Sequence, residues 1–422
     1  MAAIISPFFM LFVSFVGIYM NVWFLLLTFE HKSKLYKKKK ATRFPTVSIL
    51  IPAHNEAKTI GRCLKSVLSL NYPHEKLEAI VIDNGSTDGT SKIVKGIIKK
   101  IEKIANNPRI KLITLPKPGK VDAMNIGLKS AGGEIVGILD ADTFVTKNSL
   151  GRMVGFFEDR EVGAVTNYVN IANPGGLLGF LQRIEYIFSA FTKKLFSFLN
   201  AVYATPGTMS LLRKGVIENV GFSDDTLGED MDIALYILKR DYKIVNCLDA
   251  LAYTLVPRTL AGLLKQRVRW YRGFIENVKK HSDMLFNTKY YHLGWFILPF
   301  ASFMAVFVGV VLTIFLAMNY FQQSLLMVKD LAYMPVIDWA VLTIGDLMKP
   351  MNFFMEPYSL IAYVIILSGS LITLFITFHF LKIKKDKKML LLPFYFFVYY
   401  SMLMVFWLVS MLLELFGAKK KW

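Results

Sequence analysis

Two aspartates follow an apolar run in the middle of the chain. Asp140 and Asp142 come directly after Ile135–Leu139, a short run that predicts a buried strand. Two carboxylates at i and i+2 can bind a hard divalent cation such as Mg²⁺ or Mn²⁺ together with the phosphates of a ligand. An acidic turn is the plain alternative, because such a pair is common by chance. The position at a strand end favours the metal site.

Further polar residues stand at other predicted strand ends and helix starts. Asp83 follows a strand-like run, where a carboxylate can bind a ribose hydroxyl or a base edge, although an Asx turn is the alternative. Glu56 comes after the first predicted strand and is also typical of a helix start. Lys120 opens a predicted helix, where its charge and the helix N-terminus suit a phosphate. A solvated lysine explains Lys120 equally well.

A second acidic group, Glu229 and Asp230, precedes the predicted helix Met231–Lys239. Carboxylates at a helix N-terminus are stabilised by the helix dipole, so capping is one interpretation. The other is that one of them is a general base that takes the proton of an attacking hydroxyl. Because the dipole would lower its pKa, that role requires burial or a nearby charge to restore basicity.

Gln266, Arg269 and Trp270 stand at i, i+3 and i+4, and therefore on one face of a helix. An arginine can bind a pyrophosphate through two hydrogen bonds, and a tryptophan offers a flat apolar surface to a sugar ring or base. An aromatic and basic belt at a membrane interface is the alternative. It explains Trp270 but does not require Gln266.

The elements that must position these residues alternate between strands and helices. This pattern predicts an α/β domain with a Rossmann-type, mostly parallel sheet, whose ligands bind beyond the carboxyl ends of the strands. The predicted strands are Thr46–Pro52, Leu77–Ile82, Lys111–Leu115 and Ile135–Leu139, and the predicted helices are Glu56–Leu70, Ser91–Ile104 and Lys120–Ser130. Residues 177–200 form an amphipathic helix that faces either the core or the membrane interface, and its aromatic content favours the interface.

Composition predicts an integral membrane protein of the cell membrane. Of 422 residues, 54% are hydrophobic, and the excess lies in residues 8–28 and beyond residue 290. The net charge is +19, and lysine runs flank the apolar stretches on the predicted cytosolic side. Lys419–Lys421 would fall outside, which conflicts with this topology. No nucleic-acid module is present, and two isolated cysteines fit a reducing, cytosolic domain.

We therefore expect five regions along the chain. They are an N-terminal transmembrane helix (1–30), a basic linker (31–45), a cytosolic catalytic domain (46–259), an amphipathic interface helix (260–290), and a C-terminal region of about three spans (291–422).

The motifs together resemble one family. Pro52-Ala53-His-Asn-Glu56, Asp83-Asn-Gly-Ser, Gly119-Lys120-Val-Asp-Ala-Met-Asn125, Asp140-Ala-Asp142, Thr205-Pro206-Gly207-Thr208, Gly228-Glu229-Asp230 and Gln266-Arg-Val-Arg269-Trp270 occur in one order between residues 45 and 275. This order resembles the membrane-embedded family 2 glycosyltransferases, which include hyaluronan, cellulose, chitin and poly-N-acetylglucosamine synthases.

The resemblance implies a GT-A-like fold and a metal-dependent, inverting transfer of a hexose from a nucleotide sugar, usually a UDP-sugar. The implied partners are a polysaccharide or lipid acceptor and membrane lipid. The implied roles are nucleotide-sugar binding for Ala53, Glu56, Asp83, Lys120, Asp140, Gln266, Arg269 and Trp270, metal binding for Asp142 and Asp140, catalysis for Asp230 with Glu229, and acceptor binding for Pro206, Gly207, Thr208 and Trp270.

The chain departs from the family pattern in its membrane regions. It has one predicted N-terminal span and about three C-terminal spans, so a full translocation channel would need two subunits. The leading expectation is a processive polysaccharide synthase. The first alternative is an enzyme that adds one sugar to a lipid. A scaffold or transporter with an inactive transferase domain is disfavoured, since the expected acidic residues are all present.

Overall fold

The computed structural model describes residues 2–36, 39, 41–102, 109–307, 317–318, 321, 324–325, 328–329, 357–383 and 387–419. The chain divides into two compact units. One contains Met1–Glu30 and Phe303–Leu412, and the other contains His31–Ser302 and Leu413–Trp422. All the candidate site residues belong to the second unit.

The second unit is built on one eight-stranded sheet with the order β3-β2-β1-β4-β7-β6-β8-β5. The strands are β1 (Val47–Ala53), β2 (Leu77–Asn84), β3 (Arg109–Leu115), β4 (Ile135–Leu139), β5 (Phe144–Val145), β6 (Val162–Ile171), β7 (Thr208–Arg213) and β8 (Lys243–Thr254). The four strands β1 to β4 are parallel to one another where they pair.

The sheet is mixed, whereas the sequence predicted a mostly parallel one. Strand β7 pairs antiparallel with β4 and with β6, and β5 pairs antiparallel with β8. The reversal at β7 arises because the chain re-enters the sheet beside the end of β4, where the Asp140 N–H donates to the Gly207 carbonyl over 2.6 Å. Strand direction depends on this distant pairing, which local hydrophobic periodicity does not report.

The helices of this unit are α2 (Ile60–Leu68), α3 (Thr90–Ile101), α4 (Lys120–Ser130), α5 (Ser149–Val154), α6 (Gly176–Phe198), α7 (Lys214–Ile217), α8 (Glu229–Lys239), α9 (Leu260–Lys280) and α10 (Leu298–Val306, of which the part up to Ser302 lies here). The predicted helix at 120–130 and strand at 135–139 match these bounds. Helix α6 packs against β6 and β8 with Phe180, Ile184, Phe191 and Leu195 buried. This is the core-facing alternative for residues 177–200.

Strands β1 and β4 are buried along their whole length. Every one of their residues is buried, which is typical of strands whose two faces are both covered. Burying one Leu, Ile or Val side chain contributes about 1.5–3 kcal/mol. The carboxyl ends of β1, β2 and β4 are therefore held in fixed positions, and the polar residues that follow them share one edge.

The first unit contains most of α1 (Ala2–His31), α11 (Pro357–Phe380), α12 (Leu392–Phe394) and most of α13 (Tyr400–Leu415), with a π-helical turn at Tyr395–Tyr399. Of the helices in the described ranges, none combines the length and the apolar character that crossing a membrane requires. The mixed loop predicted at 319–356 lies almost wholly outside the described residues.

Candidate active site

Strands β1 and β2 end side by side and bring the first predicted nucleotide-binding residues together. Ala53 is paired with Asp83 at the carboxyl ends of the two strands. Asp83 is buried and lies within β2, which runs two residues further than predicted. Its carboxylate accepts hydrogen bonds from the Ser86 N–H at 3.1 Å and from the Ser91 hydroxyl. Asp83 therefore makes the contacts expected of a turn-capping aspartate. Nucleotide binding by Asp83 stays a prediction.

Three carboxylates concentrate negative charge beyond β1 and β4. Burial raises the pKa of Asp142 to about 7, and the charges of Asp140 and Glu56 act in the same direction. Burial likewise raises the pKa of Glu56, with smaller contributions from Asp140 and Asp88. The Glu56 carboxylate accepts a hydrogen bond from the Thr59 hydroxyl at the start of α2. This accumulation of like charge is the arrangement that a bound cation would relieve.

Lys120 joins the predicted metal-binding loop to the predicted base. Its Nζ lies 3.1 Å from Asp140 Oδ1 and 2.9 Å from Glu229 Oε1. Burial alone would lower the pKa of Lys120, but the charges of Asp140 and Glu229 raise it on balance. The start of α4 is held by Asn84, whose Oδ1 accepts from the Gly119 N–H over 2.8 Å. Lys120 is thus a paired cation of the site and not a solvated lysine.

Glu229 and Asp230 form the first turn of α8 and differ in basicity. Burial disfavours the ionised form of Glu229, but Lys120 and Arg269 outweigh it and lower its pKa. For Asp230, burial and the charge of Glu229 raise the pKa. A raised pKa is what a general base requires, so Asp230 fits that chemistry better than Glu229 does.

The loop from Thr205 to Thr208 contacts both acidic groups. The N–H and the hydroxyl of Thr205 both donate to the Asp230 carbonyl at 3.0 Å. Gly207 lies against the Asp140 carboxylate so closely that a Cβ there would be 2.5 Å from Oδ1. Pro206 lies between them and its carbonyl accepts from the Ser210 hydroxyl, while Thr208 is buried at the start of β7.

Helix α9 brings Arg269 to the site, where its positive charge acts on Lys120, Glu229 and Asp230. Gln266 and Trp270 contact Arg267 instead, a residue that the sequence reasoning missed. The Arg267 guanidinium is fully buried, donates to Gln266 Oε1 at 2.7 Å, and lies 4.1 Å from the Trp270 ring centre. It also forms an ion pair with Glu185 of α6 at 2.7 Å. Arg267 therefore links the two predicted binding residues to the core.

The donor set fits a divalent cation that is shared with a ligand. Within the described ranges, no group of three or more histidine, cysteine, aspartate or glutamate side chains is arranged to hold a metal ion by itself. Mg²⁺ is typically bound by one or two carboxylates and completed by substrate phosphates and water. Asp142, with Asp140 beside it, supplies such carboxylates, and the negative charges of Asp140 and Glu56 around it favour a cation there.

The mixed sheet with helices packed on it defines a domain of the α/β class, with its polar candidate residues grouped at the carboxyl ends of β1, β2 and β4. Comparison with known families gives the particular group. The model described as "Glycosyl transferase family group 2" matches residues 135–413, more than half of the chain, and the model "Glycosyl transferase family 2" matches residues 48–221. The chain belongs to the family 2 glycosyltransferases.

Its curated relatives include two poly-beta-1,6-N-acetyl-D-glucosamine synthases. The one from Staphylococcus epidermidis is 34% identical over 274 residues, which span 62% of this chain and 64% of that protein's length. The one from Staphylococcus aureus (strain COL) is 32% identical over 306 residues, which span 70% of this chain and 72% of that protein.

Among solved structures, the mannosyltransferase PcManGT from Pyrobaculum calidifontis, in complex with GDP-Man and Mn²⁺, matches with a TM-score of 0.61. The match covers 96% of this chain and 99% of that one at 20% identity. At this identity the likeness shows the fold, which is a GT-A-like mixed sheet.

Proposed function

We propose that this protein is an inverting glycosyltransferase that moves a sugar from a nucleotide sugar, a UDP-sugar in the first instance, to a hydroxyl of a growing polysaccharide. The observation that carries the proposal is the position of Lys120 between Asp140 and Glu229, at 3.1 and 2.9 Å. The Lys120 ammonium can bind a diphosphate from this position, while the carboxylate of the neighbouring Asp230 remains available to an acceptor hydroxyl.

The proposed base is Asp230. Burial and the charge of Glu229 raise its pKa, so its carboxylate can accept the proton of an acceptor hydroxyl as that oxygen attacks the sugar. Glu229, whose pKa is lowered, stays ionised and balances Lys120. Attack from the face opposite the leaving diphosphate inverts the anomeric centre. Arg269 and Lys120 supply positive charge that can stabilise the leaving group.

We propose Mg²⁺ or Mn²⁺ as the cofactor, held by Asp142 and Asp140. When bound, the cation would supply Lewis-acid neutralisation of the charge on the departing nucleoside diphosphate. Gln266, Arg269 and Trp270 would bind the diphosphate and the acceptor end, and Pro206, Gly207 and Thr208 would lie beside the acceptor sugar. Ala53, Glu56 and Asp83 would bind the nucleoside.

A polymeric product is supported by the relatives, which are named as poly-beta-1,6-N-acetyl-D-glucosamine synthases. UDP-N-acetylglucosamine is therefore the first donor to test. The chain spans 64% of the length of the Staphylococcus epidermidis relative. We also propose attachment to membrane lipid, because residues 8–28 and the sequence beyond residue 290 are strongly apolar and flanked by lysines. A homo-oligomer would be required for a complete export channel.

A screen of nucleotide sugars tests the proposal. Purified protein in detergent is incubated with UDP- and GDP-sugars and either Mg²⁺ or Mn²⁺, and nucleotide release is measured. Release from one UDP-sugar, dependent on the metal, supports the function, and no release from any donor would contradict it. Sizing of the radiolabelled product then separates a polysaccharide from a lipid that carries one sugar.

A further inference from the structure

Asn277 is a fully buried polar residue on α9 that contacts the loop before Asp230. Its Nδ2 lies 2.9 Å from the Gly228 carbonyl and 3.1 Å from the Thr226 hydroxyl. The same nitrogen lies 2.8 Å from the carbonyl of Gly273, one turn earlier in the helix. One amide group therefore ties the helix to two residues of the loop.

Its neighbour Glu276 continues this attachment. The Glu276 carboxylate accepts a hydrogen bond from the Leu227 N–H over 2.6 Å. Adjacent side chains of α9 therefore hold consecutive residues of the loop, from Thr226 to Gly228. Buried polar backbone groups need hydrogen-bonding partners, so these contacts hold the loop against α9.

Backbone packing brings the helix and the loop into direct contact. A Cβ on Gly273 would lie 2.8 Å from the Gly228 nitrogen, which is closer than side-chain atoms pack. A Cβ on Gly228 would lie 2.9 Å from Asn277 Nδ2. The two glycines therefore permit the approach that the Asn277 hydrogen bonds require.

The loop in turn sets the start of α8. The Gly228 carbonyl accepts from the N–H groups of Met231 and Asp232, at 3.1 and 3.0 Å, and so closes the first turn around Asp230. Thr205 holds the Asp230 carbonyl. A shift of Gly228 would consequently turn the Asp230 side chain.

We propose that Asn277 is a positioning residue that fixes the orientation of Asp230 through Gly228. The inference rests on the proposed function, in which Asp230 is the base. Asn277 acts through the backbone and does not touch the substrate. Since α9 also carries Arg269, a single rigid helix sets both the base and the positive charge that faces the leaving group.

The test compares Asn277→Ala and Asn277→Asp with wild type in the full-length protein. Asn277→Asp keeps the shape of the side chain and removes both donors. Asn287→Ala is the matched control, because the Asn287 side chain bonds to the nearby backbone of Asp283 and Lys289, away from the loop before Asp230. We expect kcat to fall at least tenfold in both Asn277 variants, with UDP affinity and donor KM within twofold of wild type. A folded Asn277 variant with kcat within twofold of wild type would overturn the proposal.

Hydrogen exchange supplies a readout that needs no activity. The amides of Leu227, Met231 and Asp232 should exchange at least tenfold faster in the Asn277 variants than in wild type, while β1 and β4 remain protected. Unchanged exchange at these three amides also overturns the proposal. If wild type releases no nucleotide from any donor, the proposed function fails, and the exchange result still decides whether Asn277 holds the loop.

Discussion

Lys120 and Glu229 form an ion pair of 2.9 Å that connects the first residue of α4 to the first residue of α8. Residues 120 and 229, at which the two helices start, are 109 positions apart along the chain. The same ammonium contacts Asp140 after β4. One side chain therefore joins the predicted diphosphate, metal and base regions, although each was identified from a separate motif.

Lys120→Met should reduce nucleotide release at least a hundredfold. The variant leaves the carboxylates of Glu229 and Asp140 without their cation and removes a charge that stabilises the leaving diphosphate. The free energy of unfolding should fall by less than the roughly 3–5 kcal/mol that breaking a fully buried ion pair costs, because the Lys120 side chain is 28% exposed. Lys129→Met is the control, since Lys129 is an exposed lysine on the same helix. Equal loss in the two variants would show that the effect is not specific to the site.

Gly207→Ala should inactivate the enzyme by displacing Asp140. The added Cβ would lie 2.5 Å from the carboxylate, so either Asp140 or the Thr205–Thr208 loop must move. We expect nucleotide release to drop at least tenfold. Gly215→Ala is the matched control, because a Cβ there meets nothing within 4 Å. Wild-type activity in Gly207→Ala would mean that the Asp140 position tolerates displacement and is not part of the site.

Asp142→Asn should weaken the part of UDP binding that depends on the metal and leave metal-independent UDP binding unchanged. We expect the affinity for UDP in the presence of Mn²⁺ to fall at least tenfold, while UDP binding in a metal chelator equals that of wild type. Calorimetry with UDP, with and without Mn²⁺, makes the measurement. Asp224→Asn, at an exposed acidic position, should change neither value. Full wild-type turnover in the chelator would contradict a metal role.

The pH dependence of kcat should reflect Asp230. Burial and Glu229 raise its pKa, and a base is active only when ionised, so kcat should rise with pH through a pKa above the ordinary value of about 4. The positive charge of Lys193 lowers that pKa. Lys193→Met should therefore move the acid limb of the profile to higher pH. A shift to lower pH would be inconsistent with Asp230 as the titrating group.

Much of the fold was predictable from the local sequence pattern. The apolar run at 135–139 predicts a buried strand and the helical spacing at 120–130 predicts a helix, and the structure has both with these bounds. The direction of β7 was not predictable, because it depends on pairing with β4 across a long connection. The contacts of Arg267 with Glu185 and of Asn277 with Gly228 join distant segments. Arg267 and Asn277 stand on the same helix as Leu263 and Gly273. Because buried polar side chains require hydrogen-bonding partners, these two residues were the signal in the sequence for such contacts.

The central claim is that Asp230 is the base of a nucleotide-sugar transferase. It is tested most directly by measuring turnover and UDP affinity of Asp230→Asn in one preparation, with the donor found for wild type. Removing a general base typically costs about 10²–10⁴ in rate. We predict a kcat at least a hundredfold below wild type with UDP affinity unchanged within twofold. A variant that binds UDP and turns over at the wild-type rate would contradict the assignment of Asp230.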